Sequence, residues 1–501
     1  MQKKWLHIIG VCGKTTANIA KEFQNMGWFV TGSDNQYLPP ASDLLVENKI
    51  NTVVGFDFEH LTKSFWLNND KYQISNVKIP NDPDLILFIS HLPTKNKEYL
   101  YAKKKGLDIR PYSRILKEYL IKDESIVVIG TAGKTTTTAL ITFLSQKLGL
   151  NPSYMIGADV VDIEDSLKIT DSKWSVIEGD EYHNPDKEIE GKAKFLEYKP
   201  KYLIITKITW EHFDIFPTEE LYVEEFRKAV ELVPEDGVII AKSGDKNIDK
   251  VLKSAKCKVI RYKFNEEMKE LKNEGWSVAS EGDENLICNE KGSEILRFKT
   301  ELLGSYNLEN ILAAVILICS LPAHRLPQSL VEKGTQTLKD LSKYISEFHG
   351  VKKRLEHIYK FEDLIVIDDF GIAPDRAQNS LETIHEKYPE HKIISIFEPN
   401  AGSRPNDLEI FRKAYSDSFA LSDLVIIPDL SEVTPGLVST NDMVERLVKM
   451  SINTVHIENT ELVSFLKSEI KKRKEKLIIV FFSSYKLTGV EEELVRLLNR
   501  L

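Results

Sequence analysis

The sequence predicts an α/β protein of three domains built on largely parallel sheets. Three observations lead there. A chain of 501 residues is too long for one hydrophobic core, and at about 150 residues per domain its length suggests three. Strand-like apolar runs alternate with helix-like patterns along most of it, as in layered helices and parallel strands. An apolar run leading into Gly-x-x-Gly-Lys-Thr-Thr also occurs twice, in "HIIGVCGKTTANIA" (7–20) and "VVIGTAGKTTTTAL" (127–140). Each has the strand, glycine turn and helix pattern that cradles phosphate.

The first domain is expected over residues 1–119, with strands "WLHIIG", "WFVTGSD" and "DLILFIS". The second, 120–345, opens with "SIVVIG" and continues through "WSVIEGDE", "YLIITKI" and "GVIIAK". Four shorter runs come next, "CKVIRYKF", "WSVAS", "NLICNE" and "ILRFKT". The turn residues between them suggest an antiparallel flap. "ILAAVILICSL" (311–321) reads as a buried helix, and the charged stretch 328–344 as a bridging helix. The third domain, 346–501, carries "LIVIDD", "IISIFE", "LVIIP", "TVHI" and "LIIVFFS", a second doubly wound sheet.

Composition narrows the function. A net charge of −9 argues against a general nucleic-acid binder, which needs clustered Lys and Arg. The basic run "KKRKEK" (471–476) reads as a solvated helix end. No apolar run reaches the roughly 20 residues of a membrane helix. The N-terminal apolar stretch runs straight into a glycine turn, unlike a signal peptide. Cys12, Cys257, Cys288 and Cys319 show no Cys-x-x-Cys spacing, which fits a reducing cytoplasm without disulfides or a zinc site. A monomer or weak dimer is expected.

The two turns are told apart by their downstream neighbours. Around the second, Gly130 and Gly133 let the backbone approach phosphates, Lys134 neutralises their charge, and the Thr135 hydroxyl suits Mg²⁺. Downstream, "WSVIEGDEY" ends in Glu178, Asp180 and Glu181, and "YLIITKITWEHFDIF" places His212 and Asp214 past another strand. Functional groups gather at the carboxyl ends of strands in open parallel sheets. The first turn leads instead to "WFVTGSD", ending in Ser33 and Asp34. This is the Rossmann spacing, in which the acid meets a ribose hydroxyl. The strand after that ends in Ser90 and His91 without an acid. The second turn is therefore the site for ATP and magnesium, and the first a cradle for a nucleotide diphosphate. Lys14 stays open between an ordinary helix start and an added positive charge.

Taken together, these motifs resemble the Mur ligases of bacterial cell-wall synthesis over essentially the whole chain. "GTAGKTTTT" looks like that family's ATP loop, "EGDEY" its metal-binding strand end and "ITWEHFDIF" its His-bearing loop. "LLGSYNLEN" is similar to its adenine-side Asn pair. "GVKKRLE" and "IDDFGIAPD" resemble the segments by which its C-terminal domain reaches ATP. The N-terminal "HIIGVCGKTTANIA…TGSD" resembles its domain for a uridine-diphospho-sugar.

The resemblance implies an enzyme that activates the carboxylate of UDP-N-acetylmuramate with ATP as an acyl phosphate. An incoming amine then displaces phosphate to form an amide. The implied ATP contacts are Gly130, Thr131, Ala132, Gly133, Lys134, Thr135, Thr136, Asn307, Asn310, Arg354 and Asp369. Lys134, Glu178, His212 and Arg354 are the implied catalytic set, and Thr135, Glu178 and His212 the Mg²⁺ ligands. The sugar nucleotide is assigned to Gly10, Cys12, Gly13, Lys14, Thr15, Ser33, Asp34, Ser90 and His91, and an acceptor carboxylate to Arg404. Two acceptors are open. "SDNQYLPPASDLL", "FEPNAGSRPND" and "VFFSSYKLTG" look more like the ligase that recycles the tripeptide L-alanyl-γ-D-glutamyl-meso-diaminopimelate. The alternative is the ligase that adds L-alanine, and a remoter one a Mur-like protein without activity. The chain departs from the family at Ile372-Ala373, where a His pair is usual, and at Lys14 and Thr15, where residues are small. Arg227 and Lys228 lie near the place of a carbamylated lysine found in some members.

Overall fold

The structure, a computed structural model, describes all residues except 1, 69–71, 73–77, 90–94, 184–191, 211–215, 217, 266–274, 283, 322–334, 400–402, 431–436, 484–486 and 501. Three sheets organise the rest. In the first, β1 (Trp5–Ile9), β2 (Phe29–Asp34), β3 (Asn51–Val54), β4 (Leu85–Phe88) and β5 (Ile109–Pro111) lie in the order β3-β2-β1-β4-β5, all parallel. The central β1 is buried along its length, as a strand covered on both faces must be.

The second sheet has ten strands. They are β6 (Glu124–Ile129), β7 (Ser153–Met155), β8 (Leu167–Lys168), β9 (Trp174–Glu178), β10 (Tyr202–Ile205), β11 (Val238–Lys242), β12 (Lys258–Phe264), β13 (Trp276–Glu281), β14 (Glu284–Cys288) and β15 (Glu294–Phe298). Their order is β15-β14-β13-β12-β11-β10-β6-β9-β7-β8. The expected four-stranded flap is corrected here. β12, the run "CKVIRYKF", pairs parallel with both β11 and β13, and the antiparallel pairing is confined to β13-β14-β15. The crossover through helix Lys246–Val251 returns the chain in the direction of β11, which imposes parallel pairing on β12.

The third sheet is doubly wound, as expected. It comprises β16 (Glu356–Phe361), β17 (Leu364–Asp369), β18 (Lys392–Phe397), β19 (Leu424–Ile427), β20 (Thr454–His456) and β21 (Leu477–Phe482), in the order β16-β17-β21-β18-β19-β20. Only β16 runs antiparallel. Successive residues feed opposite cores: Ile365 and Ile367 face one, Val366 the other.

The chain forms two compact units, Met1–Thr300 with Tyr306–His349, and Glu301–Ser305 with Gly350–Leu501. The first holds the first two sheets around one continuous core that runs from Leu6 and Ile8 to Ile239 and Val251. Helix Ser305–Ser320 is buried along most of its length, as its apolar sequence predicts. Among the described residues no helix is long and apolar enough to cross a membrane. All four cysteines are free.

Candidate active site

The second glycine turn joins β6 to helix Lys134–Lys147. Gly130 and Gly133 have φ of 138° and 85°, backbone conformations that favour glycine. Space excludes other residues as well. A Cβ on Gly130 would lie 2.2 Å from Thr206 Oγ1, and one on Gly133 2.7 Å from Asn310 Oδ1. Thr206 donates to the Ala132 carbonyl at 2.6 Å, and the Thr131 amide to the Lys207 carbonyl at 2.8 Å. Thr137 donates to Asn310 Oδ1 at 3.1 Å, and Asn310 Nδ2 to Asn307 Oδ1 at 3.1 Å. The Asn pair is buried. It buttresses the turn from the first two turns of helix Ser305–Ser320.

Charged groups converge where phosphates would lie. Lys134 Nζ donates to the Gly130 carbonyl at 2.5 Å and stands 3.0 Å from Glu181 Oε2. Thr135 Oγ1 donates to Glu178 Oε1 at 2.9 Å, and Glu178 Oε2 accepts the Gly157 amide at 2.7 Å. Thr136 comes next, half-buried. A hard cation such as Mg²⁺ takes oxygen ligands, and Thr135 and Glu178 offer an adjacent hydroxyl and carboxylate of that kind. Among the described residues no group of three His, Cys, Asp or Glu forms a metal cluster; His212, expected to ligate a second Mg²⁺, lies outside the described residues, as does Asp214.

Asp180 has a different role from its neighbours. It accepts from Lys194 Nζ at 2.7 Å and from the Tyr112 hydroxyl at 3.4 Å. Lys194 sits over the Tyr112 and Tyr182 rings, 5.2 and 5.5 Å from their centroids. Burial pushes the Asp180 carboxyl up, but the Lys194 charge outweighs it and holds the group below the ordinary carboxylate value. Lys194, Thr206 and Gly157 carry no sequence signal. Gly157 and Lys194 lie in stretches without a motif and Thr206 near the end of a strand flagged only for its downstream loop, and only folding brings them to the turn.

The first turn is built otherwise. Gly10, with φ of 86°, and Val11 both donate their amides to the Ser33 carbonyl, at 2.8 and 3.1 Å. The Cys12 amide donates to Asp34 Oδ2 at 2.9 Å, and the Gly13 amide to Thr16 Oγ1 at 3.2 Å. The four amides of the turn are thus spent within the protein. At the start of helix Lys14–Asn25 the first amides have no intrahelical partner, and Lys14 and Thr15 stand there half-buried. Lys14 Nζ lies 2.8 Å from Asp159 Oδ1.

Ser33 is a correction. Its side chain points into the interior and donates to Glu98 Oε2 at 2.6 Å, because Thr31 and Ser33 share the inward parity of β2. Glu98 also meets His60 Nδ1 at 2.6 Å and His7 Nε2 at 3.7 Å. Burial pushes the Glu98 carboxyl up, and His60, His7 and Ser33 together pull it below its ordinary value. Ser90 and His91 lie outside the described residues.

In the second unit, Asp369 is buried. It accepts the Leu355 amide at 2.8 Å and the Ser380 hydroxyl at 3.1 Å, so both oxygens fasten the fold. Arg354 is exposed, with its guanidinium 6.0 Å from the Phe370 ring centroid. Arg404 is buried, and its Nε has no hydrogen-bond partner among the described residues. Lys353, Asp368 and Glu491 form a buried cluster that sequence reading missed, with Lys353 Nζ 2.9 Å from Asp368 and 3.3 Å from Glu491. Near the place of a carbamylated lysine, Arg227 pairs with Glu224 and Glu231 on the helix surface, and Lys228 with Glu225, a buried carboxylate that also accepts the Ala193 amide at 2.8 Å.

Comparison with known proteins gives the family. Residues 6–123 match the Mur ligase family catalytic domain and residues 128–318 the Mur ligase middle domain. The UDP-N-acetylmuramate–L-alanine ligase of Caldicellulosiruptor saccharolyticus is 28% identical over 91% of this chain and 91% of its own length. That of Caldanaerobacter subterraneus is 26% identical over 94% and 93%. Among solved structures, the UDP-N-acetylmuramate–alanine ligase of Thermotoga maritima aligns over 100% of both chains, with a TM-score of 0.71 at 20% identity. The murein peptide ligase of Psychrobacter arcticus aligns over 99% of both, with a TM-score of 0.63 at 20% identity. Both share the fold. The chain belongs to the Mur ligase family, ATP-dependent enzymes that form carbon–nitrogen bonds with release of ADP.

Proposed function

We propose that this chain joins the carboxylate of UDP-N-acetylmuramate to the amine of L-alanine. Residues 1–119 take the sugar nucleotide, 120–345 ATP, and 346–501 the acceptor. The observation that carries the reading is the convergence of Lys134, Thr135 and Glu178 at a helix start buttressed by Asn310. Lys134 leaves Glu181 for the β- and γ-phosphates. The muramoyl carboxylate attacks the γ-phosphorus, ADP departs, and the resulting acyl phosphate is opened by the acceptor amine with loss of phosphate. Such catalysis is mostly positioning and charge neutralisation. Thr135, Glu178 and His212 would hold Mg²⁺, whose charge offsets that of the phosphates. Arg354 is assigned to the γ-phosphate and Arg404 to the acceptor carboxylate. Asp369 is assigned to the ribose or phosphate region, and each of its oxygens also accepts one hydrogen bond from the fold.

L-Alanine is preferred because the Caldicellulosiruptor and Caldanaerobacter relatives, matched over nearly their full length, carry that name. The tripeptide, favoured by the motifs "SDNQYLPPASDLL" and "FEPNAGSRPND", is the second reading. The test is ADP release with UDP-N-acetylmuramate and Mg²⁺, first with L-alanine and then with the tripeptide. Stimulation by L-alanine supports the proposal, and a preference for the tripeptide reverses the order. Turnover that neither sugar nor amine stimulates defeats the ligase reading.

A further inference from the structure

Lys14 has its partner in the second sheet's connection, not in its own domain. Helix Lys14–Asn25 runs along residues 156–169, and four of its residues grip that segment. Lys14 Nζ is 2.8 Å from Asp159 Oδ1. Asn18 Nδ2 donates to Ser166 Oγ at 3.2 Å, and Lys21 Nζ to Asp165 Oδ1 at 2.6 Å. Glu22 Oε2 accepts the Ile169 amide at 2.7 Å. The segment is fastened to itself as well: the Ile156 amide donates to the Ser166 carbonyl at 2.8 Å, and Val160 bridges Ile163. Two residues before Asp159, the Gly157 amide holds Glu178 Oε2 at 2.7 Å. A Cβ on Gly157 would lie 2.7 Å from that oxygen, so backbone and carboxylate meet directly. The other Glu178 oxygen accepts from Thr135.

The two glycine turns are therefore joined by a short path: an ion pair, two backbone steps and a hydrogen bond. Its first member is not fully used. Lys14 Nζ is shielded from solvent, yet beyond the ion pair it makes no directed hydrogen bond among the described residues. It stands at the helix start where the diphosphate anion would lie. We propose that Lys14 bridges the diphosphate of the sugar nucleotide to Asp159 and so transmits occupancy of the first turn, through residues 157–159, to Glu178 at the ATP turn. The inference rests on the reading of the first turn as a sugar-nucleotide site. A bound anion fixes Lys14, which fixes Asp159 and the segment behind it. The Gly157 amide then presents Glu178 in one orientation before the nucleotide arrives. A site ordered by a first ligand costs the second less to occupy, and the effect is reciprocal.

The test is calorimetric titration of a non-hydrolysable ATP analogue with Mg²⁺, with and without saturating UDP-N-acetylmuramate. The proteins are the wild type, Asp159→Asn, Lys14→Gln and the double variant. The wild type should bind the analogue about five-fold tighter, or more, when the sugar nucleotide is present. Each single variant should cut this to less than about two-fold, and the double variant should lose nothing further, as members of one path do. Asp165→Asn breaks a neighbouring contact off the path and should keep the coupling; thermal unfolding of each variant checks that it is folded. Wild-type coupling in Asp159→Asn, or equal loss in Asp165→Asn, overturns the inference. Sugar-nucleotide binding without coupling in the wild type overturns it alone. No binding of the sugar nucleotide at all defeats the proposed function together with it.

Discussion

Gly130→Ala is the most direct test of the ATP turn. At φ of 138° an L-residue is strained, which costs about 1–3 kcal/mol. The new methyl also meets Thr206 Oγ1 at 2.2 Å, the Lys207 carbonyl oxygen at 2.8 Å and its amide nitrogen at 2.9 Å. Thr206 can rotate only by giving up its 2.6 Å bond to the Ala132 carbonyl, worth about 1 kcal/mol. Lys207 cannot move without breaking the bond from the Thr131 amide that closes the turn. Overpacking of this kind adds about 1–3 kcal/mol. The combined cost, about 3–7 kcal/mol, divides between the fold and the bound state. We expect the Kd for an ATP analogue, measured by calorimetry, to rise about ten-fold or more, since ten-fold needs only about 1.4 kcal/mol. The melting temperature should fall as well. Gly130→Ala with Thr206→Gly removes the nearest clash but not the backbone ones, so recovery should be partial. A Gly130→Ala protein with wild-type affinity and melting temperature would refute the close approach drawn here.

The same geometry sets four further outcomes. Lys134→Ala should abolish ADP release, while Lys14→Ala should mainly raise the KM for the sugar nucleotide; equal collapse of kcat in both would end the division between the turns. Glu98→Gln replaces the buried carboxylate that meets Ser33, His60 and His7 and should destabilise the protein by about 1–3 kcal/mol in urea unfolding. Glu98 is held below its ordinary value of 4.5, so its stabilising effect is present above that pH and fades as pH falls through the lower folded value. This acid-limb dependence should weaken in Glu98→Gln. Burial, with the nearby Glu491 charge, pushes the Asp368 carboxyl up from 3.8 to about 7. The folded state therefore holds that proton more tightly, and stability should decline as pH rises between those values. Asp368→Asn should flatten that slope in thermal unfolding.

The glycine turns, the long apolar strands and the buried helix were legible because each is a local pattern. The carboxylate end of "WSVIE" next to Thr135 was legible for the same reason, since strand ends in a parallel sheet share an edge. What escaped was non-local or short. β3, β5, β7 and β8 are short strands without a long apolar run. The direction of β12 depends on a crossover, not on its residues. Ser33 looked like a sugar contact because it precedes Asp34, yet strand parity turns it inward toward Glu98, a partner 65 residues away. The Lys353–Asp368–Glu491 cluster joins three segments that no spacing rule connects.

The Asn310 buttress also has a consequence for biogenesis. It supports Thr137 across 173 residues of sequence. At roughly 5–20 residues per second, a ribosome needs about 9–35 s to make that interval. Throughout it the nascent chain carries a complete glycine turn that lacks the side chain closing its far wall. On the proposed assignment of this turn to ATP, a stalled chain ending before helix Ser305–Ser320 would display the motif without its Asn310 support.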